Sequence, residues 1–107
     1  MIVDTDATQI ESSSVVIIAG RSYPISDGAV LGREGTIARS ELAELATVSR
    51  RHAIFTKREG KWYVTVPSSV ANSTRLDGVE IRRDAPQLLL GRHVLALSQQ
   101  AVARIEI

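Results

Sequence analysis

Short apolar stretches alternate with turn-forming residues along most of the chain. Two clear examples are Val15-Val16-Ile17-Ile18 and Trp62-Tyr63-Val64-Thr65-Val66, whose β-branched and aromatic residues favour strands. Glycine, proline, asparagine, aspartate and serine separate such stretches at intervals of about ten residues. The pair Asp77-Gly78, set between two short strand signals, is typical of a type I′ hairpin turn. The pattern predicts an all-β fold, an antiparallel β-sandwich of about ten or eleven short strands.

The ends of the pattern predict the domain organisation. Residues 1–13 are polar and rich in Asp, Thr and Ser, so we expect a flexible leader there and a single folded domain over residues 14–107. Pro24 lacks an amide donor, which predicts that the second strand is short or lies at a sheet edge.

One segment departs from the strand pattern. Residues 40–46 contain helix formers with leucines three positions apart. Together with residues 47–51 they resemble the first helix and turn of a helix-turn-helix DNA-binding domain. Such a domain needs a recognition helix immediately afterwards, whereas Ala53-Ile54-Phe55-Thr56 favours a strand. The DNA-binding interpretation is therefore the less favoured alternative.

Composition narrows the functional classes. A net charge of +1 argues against a strongly basic nucleic-acid-binding domain. The absence of cysteine excludes disulfides and thiolate chemistry, and the two histidines offer little to a metal. We expect no cofactor and no metal site. The acidic first residues and the lack of a long apolar run favour a cytoplasmic protein without a membrane segment.

Three polar groups stand in the turns between strand signals. They are Gly32-Arg33, the stretch Ser49 to His52, and Asn72-Ser73-Thr74. The loops of a β-sandwich cluster at its two ends, so these groups can meet although they are distant in sequence. Arginine forks and a serine hydroxyl suit a phosphate or carboxylate, and we expect Gly32 to turn the backbone sharply and leave Arg33 free to point into a shared cleft.

On these residues the chain resembles a forkhead-associated (FHA) domain, a phosphothreonine-binding β-sandwich. The family pattern is Gly-Arg, then Ser-x-x-His, then Asn-Gly-Thr with Asn-Gly shortly after. This chain supplies Leu31-Gly32-Arg33, Val48-Ser49-Arg50-Arg51-His52-Ala53 and Asn72-Ser73-Thr74-Arg75-Leu76-Asp77-Gly78. The resemblance spans roughly residues 14 to 100.

The resemblance implies a role for each matching residue. Arg33 and Ser49 would bind the phosphate directly, Arg50 would contact the phosphate or the peptide backbone, and Asn72 would bond the ligand backbone. Gly32 and His52 would support the loops without touching ligand. Residues that flank the phosphothreonine on its carboxyl side would meet variable loops, here near Thr47 and residues 68–71.

Three positions depart from the family pattern, and one of them, Arg92, which follows Gly91 where the family commonly has aspartate, is remote from the three groups and bears on folding more than on binding. Ser73 stands where the family has glycine, so a positive φ there would strain the serine and misdirect Asn72. Asp77 replaces an asparagine, and we expect no cost because Asp-Gly makes the same turn.

The implied function is a phosphothreonine-dependent binding module that recruits phosphorylated partners in signalling. Its partner would be a phosphothreonine protein, the substrate of a Ser/Thr kinase, and not nucleic acid or a membrane. Phosphorylated Thr5 or Thr8 in the leader could also bind the domain's own site. A module that binds unphosphorylated protein on the same fold is the alternative. An enzyme with Ser49, His52 and Asp77 or Asp84 as a triad is disfavoured, because nothing provides an oxyanion site.

Overall fold

The computed structural model describes residues 14–107, which form ten strands and one short helix. In chain order these are β1 (Val15–Ile18), β2 (Arg21–Pro24), β3 (Val30–Leu31), α1 (Arg39–Leu42), β4 (Ala53–Arg58), β5 (Lys61–Thr65), β6 (Arg75–Leu76), β7 (Val79–Glu80), β8 (Gln87–Leu89), β9 (Arg92–Ser98) and β10 (Ala101–Glu106). The expected leader, residues 1–13, lies outside the described residues.

The strands build two sheets that pack face to face. One has six strands in the order β2-β1-β10-β9-β6-β7, and the other has four in the order β3-β4-β5-β8. Every pairing between named strands is antiparallel, which confirms the predicted all-β antiparallel sandwich. Strand β2 lies at the edge of its sheet, as Pro24 predicted.

Alternation along the strands positions the core. In β10 the side chains of Ala101, Ala103 and Ile105 are buried, whereas Val102 and Arg104 between them face outward. Successive residues of a strand point to opposite faces, so one face of each sheet supplies the apolar layer. The largest fully buried side chains of the core are Phe55, Leu31, Leu89, Leu95, Leu97 and Ile105 from the strands and Leu42 from α1. Among the described residues, no helix is long and apolar enough to span a membrane.

The helix-turn-helix interpretation is wrong. Helix α1 has only four residues, and its N-terminal flanking residue Ala38 provides no side-chain cap. It is held by the buried Leu42 and by Glu41, whose carboxylate lies 3.5 Å from Nε of Arg21 on β2. Residues 53–58, where a recognition helix would have to lie, form β4 at the centre of a sheet. The helix propensity of residues 40–46 therefore yields only one short helix, and residues 53–58 pair as a strand instead of forming a second one.

The hairpin between β6 and β7 has the predicted turn. Asp77 and Gly78 have φ values of 54° and 85°, and positive φ at both central residues defines type I′. The Asp77 carboxylate also anchors the turn to β9, because it accepts hydrogen bonds from the Val94 backbone N–H (2.8 Å) and from Nδ1 of His93 (2.7 Å). These bonds, the backbone one first, lower the pKa of Asp77. The aspartate therefore does more than replace an asparagine in the turn.

We expect Asp77→Asn to reduce the free energy of unfolding by about 1 kcal/mol at neutral pH. His93 Nε2 accepts the Leu90 N–H, so Nδ1 carries the proton and would oppose the amide NH2 of an asparagine. A carboxylate with a lowered pKa stabilises the fold above the pKa of the unfolded chain, and this contribution is lost as the pH falls through the folded-state value. Urea unfolding of both proteins should show the difference shrinking below about pH 4; a difference that persists at lower pH would contradict this account.

Candidate functional site

Two of the three polar groups are joined by backbone hydrogen bonds. Gly32 and Arg33 follow β3, and the stretch from Ser49 to His52 precedes β4, the partner of β3. The Arg33 N–H donates to the carbonyl of Ser49 (3.1 Å), and the His52 N–H donates to that of Leu31 (2.9 Å). These backbone bonds, just beyond the paired ends of β3 and β4, hold the two loops side by side.

Gly32 supports this contact in a way that the sequence did not indicate. The chain does turn sharply here, as expected, since the Gly35 N–H donates to the Gly32 carbonyl at 3.1 Å, but the φ of Gly32 lies outside the left-handed region. A Cβ at this position would instead lie 2.8 Å from the Ser49 carbonyl oxygen and closer still to that of Arg50. Glycine is required here because two backbones approach more closely than any side chain permits.

The Arg33 side chain is also not free, contrary to the expectation. Its Nε donates to the backbone carbonyl of Val48, and the residue is half-buried. This bond uses one of five guanidinium donors and fixes the direction of the fork. The remaining terminal nitrogens keep the planar edge that suits two phosphate oxygens.

His52 connects the second loop to the third. The ring is completely buried, and its Nδ1 accepts the backbone N–H of Ser49 at 3.0 Å. Because Nδ1 is an acceptor, Nε2 carries the proton and donates to Oγ1 of Thr74, 2.8 Å away. Burial and then the nearby positive charge of Arg83 lower the pKa of His52 to about 4. The imidazole is therefore neutral and structural at physiological pH.

The third group lies beside the second through Asn72. The amide nitrogen of this side chain donates to the backbone carbonyl of Thr47 at 2.7 Å. Ser73 is not among the residues with positive φ, so the expected strain is absent. Its hydroxyl donates instead to the carboxylate of Glu80 (3.1 Å). Serine is tolerated where the family has glycine because this turn does not use the left-handed region.

Charge at the surface of the site is balanced by one ion pair. Nε of Arg50 lies 3.7 Å from the carboxylate of Glu34, and both side chains are largely exposed, at 72% and 58%. An exposed pair of this kind contributes little to stability. Separating the Arg50 guanidinium from Glu34 therefore costs little free energy.

A groove of about 670 Å³ extends from the site across the outer face of the six-stranded sheet. It includes Asn72 and Ser73 of the third group and Thr47 just before the second, and does not include Arg33, Ser49 or Arg50. The residues that line it are Thr47, Asn72, Ser73, Arg75, Ala96, Ser98, Gln99, Gln100 and Val102. Thr47 and residues 68–71 were both expected to lie near the ligand. Thr47 lines this groove, and residues 68–71 do not.

Sequence reasoning missed the contribution of the turn between β9 and β10. The Thr47 hydroxyl lies 2.9 Å from Oγ of Ser98 and donates to Oε1 of Gln100 at 2.8 Å. These residues carry no motif. Only the strand order, which was not deducible from the pattern, brings that turn to the same end of the sandwich as the second loop.

The side chains do not form a catalytic triad. His52 bonds to the Ser49 backbone and to Thr74. Asp77 bonds to β9 and Asp84 accepts the N–H of Ser68 (3.0 Å). Neither acid orients the imidazole as a triad requires. Within residues 14–107 there is also no cluster of three His, Cys, Asp or Glu side chains that could hold a metal ion.

Comparison with known proteins gives a consistent picture. The family model described as "FHA domain" matches residues 17–97. No curated protein matches the chain. Solved structures of similar fold include one from a study of phosphothreonine-dependent FHA domain interactions, with 18% identity, a TM-score of 0.70, and coverage of 88% of this chain and 95% of that one.

Two further structures carry bound peptides. The N-terminal FHA domain of S. cerevisiae Rad53p, in complex with a phosphothreonine peptide, is 15% identical with a TM-score of 0.66, covering 86% of this chain and 90% of that one. Mycobacterium tuberculosis EmbR, in complex with a low-affinity phosphopeptide, is 16% identical with a TM-score of 0.73, covering 97% of this chain and 29% of that one. At these identities the likeness establishes the fold.

The environment of His52 predicts a pH dependence of stability. Its folded-state pKa of about 4 lies below the roughly 6.5 of an unfolded histidine, so the unfolded chain binds more protons between these values. The free energy of unfolding should therefore rise with pH across this window and fall by about 2 to 3 kcal/mol as the pH drops from 6.5 to 4.

Urea unfolding across this pH range, without ligand, checks that prediction. His52→Gln should be destabilised at neutral pH and should lose most of the slope. His93→Gln is the matched control and should keep the slope, since His93 lies on β9 and its ring is not part of the His52 network. Equal slopes in the wild type and His52→Gln would show that His52 is not the titrating group.

Proposed function

The chain belongs to the FHA-domain family, and from this premise we propose that it binds phosphothreonine-containing proteins and recruits them in signalling. FHA domains are binding modules. The observation that carries the proposal is the joined pair of loops, in which Arg33, Ser49 and Arg50 lie at one end of the sandwich on a rigid backbone. Recognition groups on loops held by a rigid scaffold are the usual design of a binding site.

The phosphate would be held by three groups. Arg33 would offer the terminal nitrogens that its bond to Val48 leaves available, and Ser49 would donate its hydroxyl. Arg50 would exchange its exposed contact with Glu34 for a phosphate oxygen. Phosphothreonine carries about −1.5 to −2 charges at neutral pH, and each charge-assisted hydrogen bond contributes about 1.5 to 3 kcal/mol before ordering costs. Discrimination against unmodified threonine would come from these bonds.

The rest of the ligand would follow Asn72 into the groove. Asn72 would bond the ligand backbone beside the phosphothreonine, and the absence of strain at Ser73 supports the expected aim of its amide. Flanking ligand residues would then lie over Ala96 and Val102, with the amides of Gln99 and Gln100 at the rim. Arg75, which also lines the groove, would favour an acidic residue in the ligand.

The partner we propose is a protein phosphorylated on threonine by a Ser/Thr kinase, met in the cytoplasm. Nucleic acid is not favoured as a ligand, since the chain has a net charge of only +1 and duplex binding needs a clustered positive excess. The alternative function, a phosphate-independent interaction domain, is less favoured than the sequence suggested, because Ser73 does not distort the third loop. The same titration tests both.

Titration of the purified protein with a phosphothreonine peptide library, beside phosphoserine and unmodified peptides, checks the proposal. We expect saturable binding to phosphothreonine with a dissociation constant in the micromolar range, about −8 kcal/mol. Arg33→Ala should weaken this binding by about a hundredfold or more through the loss of two charge-assisted bonds. The variant should stay folded, with a modest loss of thermal stability because its bond to the Val48 carbonyl is also removed.

Arg82→Ala is the matched control, because Arg82 is an exposed arginine outside the three loops of the site, and it should bind as the wild type does. Near wild-type affinity in folded Arg33→Ala would contradict the assignment of the site. Equal binding of phosphorylated and unmodified peptides would favour the phosphate-independent module.

We also propose that the domain can bind its own leader. Thr5 and Thr8 lie outside the described residues, but the position where β1 begins is known. Val15 pairs with Glu106, at the C-terminal end of β10, whereas Gln100 and the site lie beyond its N-terminal end. The length of β10 puts about 20 Å between that point and the site. Thr8 precedes Ser14 by six residues and Thr5 by nine, which reach roughly 20 and 30 Å when extended. Phosphorylated Thr5 is therefore the better intramolecular ligand.

Phosphorylation at Thr5, introduced by semisynthesis, should weaken binding of an external phosphopeptide by about a hundredfold or more, because a tethered ligand acts at millimolar effective concentration against a micromolar affinity. Phosphorylation at Thr8 should have a smaller effect, and the Thr5→Ala protein should be indifferent to treatment with a kinase specific for Thr5. Unchanged external binding by the Thr5-phosphorylated chain would remove the idea.

A further inference from the structure

The turn that follows β7 contacts the loop that carries Asn72. Nε of Arg83 donates to the carbonyl of Val70 at 2.7 Å, and Nη2 of the same guanidinium donates to the carbonyl of Ala71 at 3.1 Å. One planar fork thus bonds two successive backbone oxygens. The second of these belongs to the residue immediately before Asn72.

The neighbouring Asp84 holds the beginning of the same loop. Its carboxylate accepts the N–H of Ser68 at 3.0 Å, and its own N–H donates to the carbonyl of Val66 at 2.7 Å. Asp84 has a φ of 63°, a conformation that costs a non-glycine residue free energy unless the surroundings impose it. This strained turn therefore makes three side-chain hydrogen bonds to residues 68–71, two from Arg83 and one from Asp84, and one backbone bond to Val66.

The far end of the loop is fixed by other elements. The Asn72 amide bonds Thr47, and the buried Thr74 bonds His52. Between Val70, whose side chain is buried, and Thr74, the chain is exposed and has no strand pairing. The fork of Arg83 is thus the contact that sets the backbone directly before Asn72.

We propose that Arg83 is a positioning residue for Asn72, acting through the carbonyls of Val70 and Ala71 to aim its amide at the ligand backbone. The inference rests on the proposed function, in which Asn72 touches the ligand and Arg83 does not. Arginine suits this role because its rigid fork reaches two acceptors at once, whereas a lysine offers a single flexible ammonium group.

A double-mutant cycle in phosphopeptide binding tests the coupling. Arg83→Ala should weaken binding about tenfold, Asn72→Ala should weaken it at least as much, and the double variant should lose no more than Asn72→Ala alone. Arg83→Lys should recover part of the loss. Arg82→Ala, the neighbouring exposed arginine, should stay within twofold of the wild type. Additive losses in the double variant would overturn the proposal.

A second measurement needs no ligand and separates this inference from the proposed function. In the NMR spectrum of free Arg83→Ala, the side-chain amide of Asn72 and the backbone amides of residues 70–73 should shift and exchange faster with solvent. The amides of Arg33 and Glu34, which donate to the backbone of the second loop, should change far less. An unchanged Asn72 amide would overturn the positioning role even if the wild type binds phosphopeptide well. A wild type that binds none would overturn the proposed function, and the amide shifts would still decide whether Arg83 sets the loop.

Discussion

The site depends on one buried imidazole. His52 has no exposed surface, so each ring nitrogen must find a partner, since an unsatisfied buried polar atom costs about 1 to 3 kcal/mol. Its two partners belong to different loops, the Ser49 backbone and the Thr74 hydroxyl. The need to satisfy the ring thus fixes the distance between Ser49 and the segment that carries Asn72. Neutrality is part of the same constraint, because a protonated Nδ1 could no longer accept the Ser49 N–H.

Around this fixed point the charged groups remain at the surface. Arg50 and Glu34 are mostly exposed, and the groove beside the site does not include the three groups proposed for the phosphate. A dianion on such a surface needs no enclosing cavity, because directed donors supply the specificity and exposed charges are inexpensive to rearrange. The candidate site thus combines a buried, neutral imidazole that holds the loops together with exposed charged groups that can rearrange.

The sequence was sufficient for the fold class and for the three loop groups. Period-two alternation in segments such as β10 and the Asp77-Gly78 turn are local signals, and local signals survive without knowledge of the partners. The errors concern contacts between distant segments. Gly32 was interpreted by its conformational freedom, although the close carbonyls of Ser49 and Arg50 are what require it. The turn between β9 and β10 and the fork of Arg83 carry no local signature, because their roles depend on segments that only the folded structure brings together.

The nature of those long-range contacts explains how chains of 15 to 18% identity keep this fold. The first two loops are joined mainly by backbone hydrogen bonds, from the N–H groups of Arg33, Glu34 and His52, and backbone groups are the same in every sequence. Side-chain identity matters at particular points, such as Gly32, where no Cβ fits, and His52, whose ring bridges two loops. The carbonyls of Val70 and Ala71 extend this logic, since Arg83 bonds them without regard to their side chains. The loop residues beside Asn72 can therefore vary while its backbone stays in place.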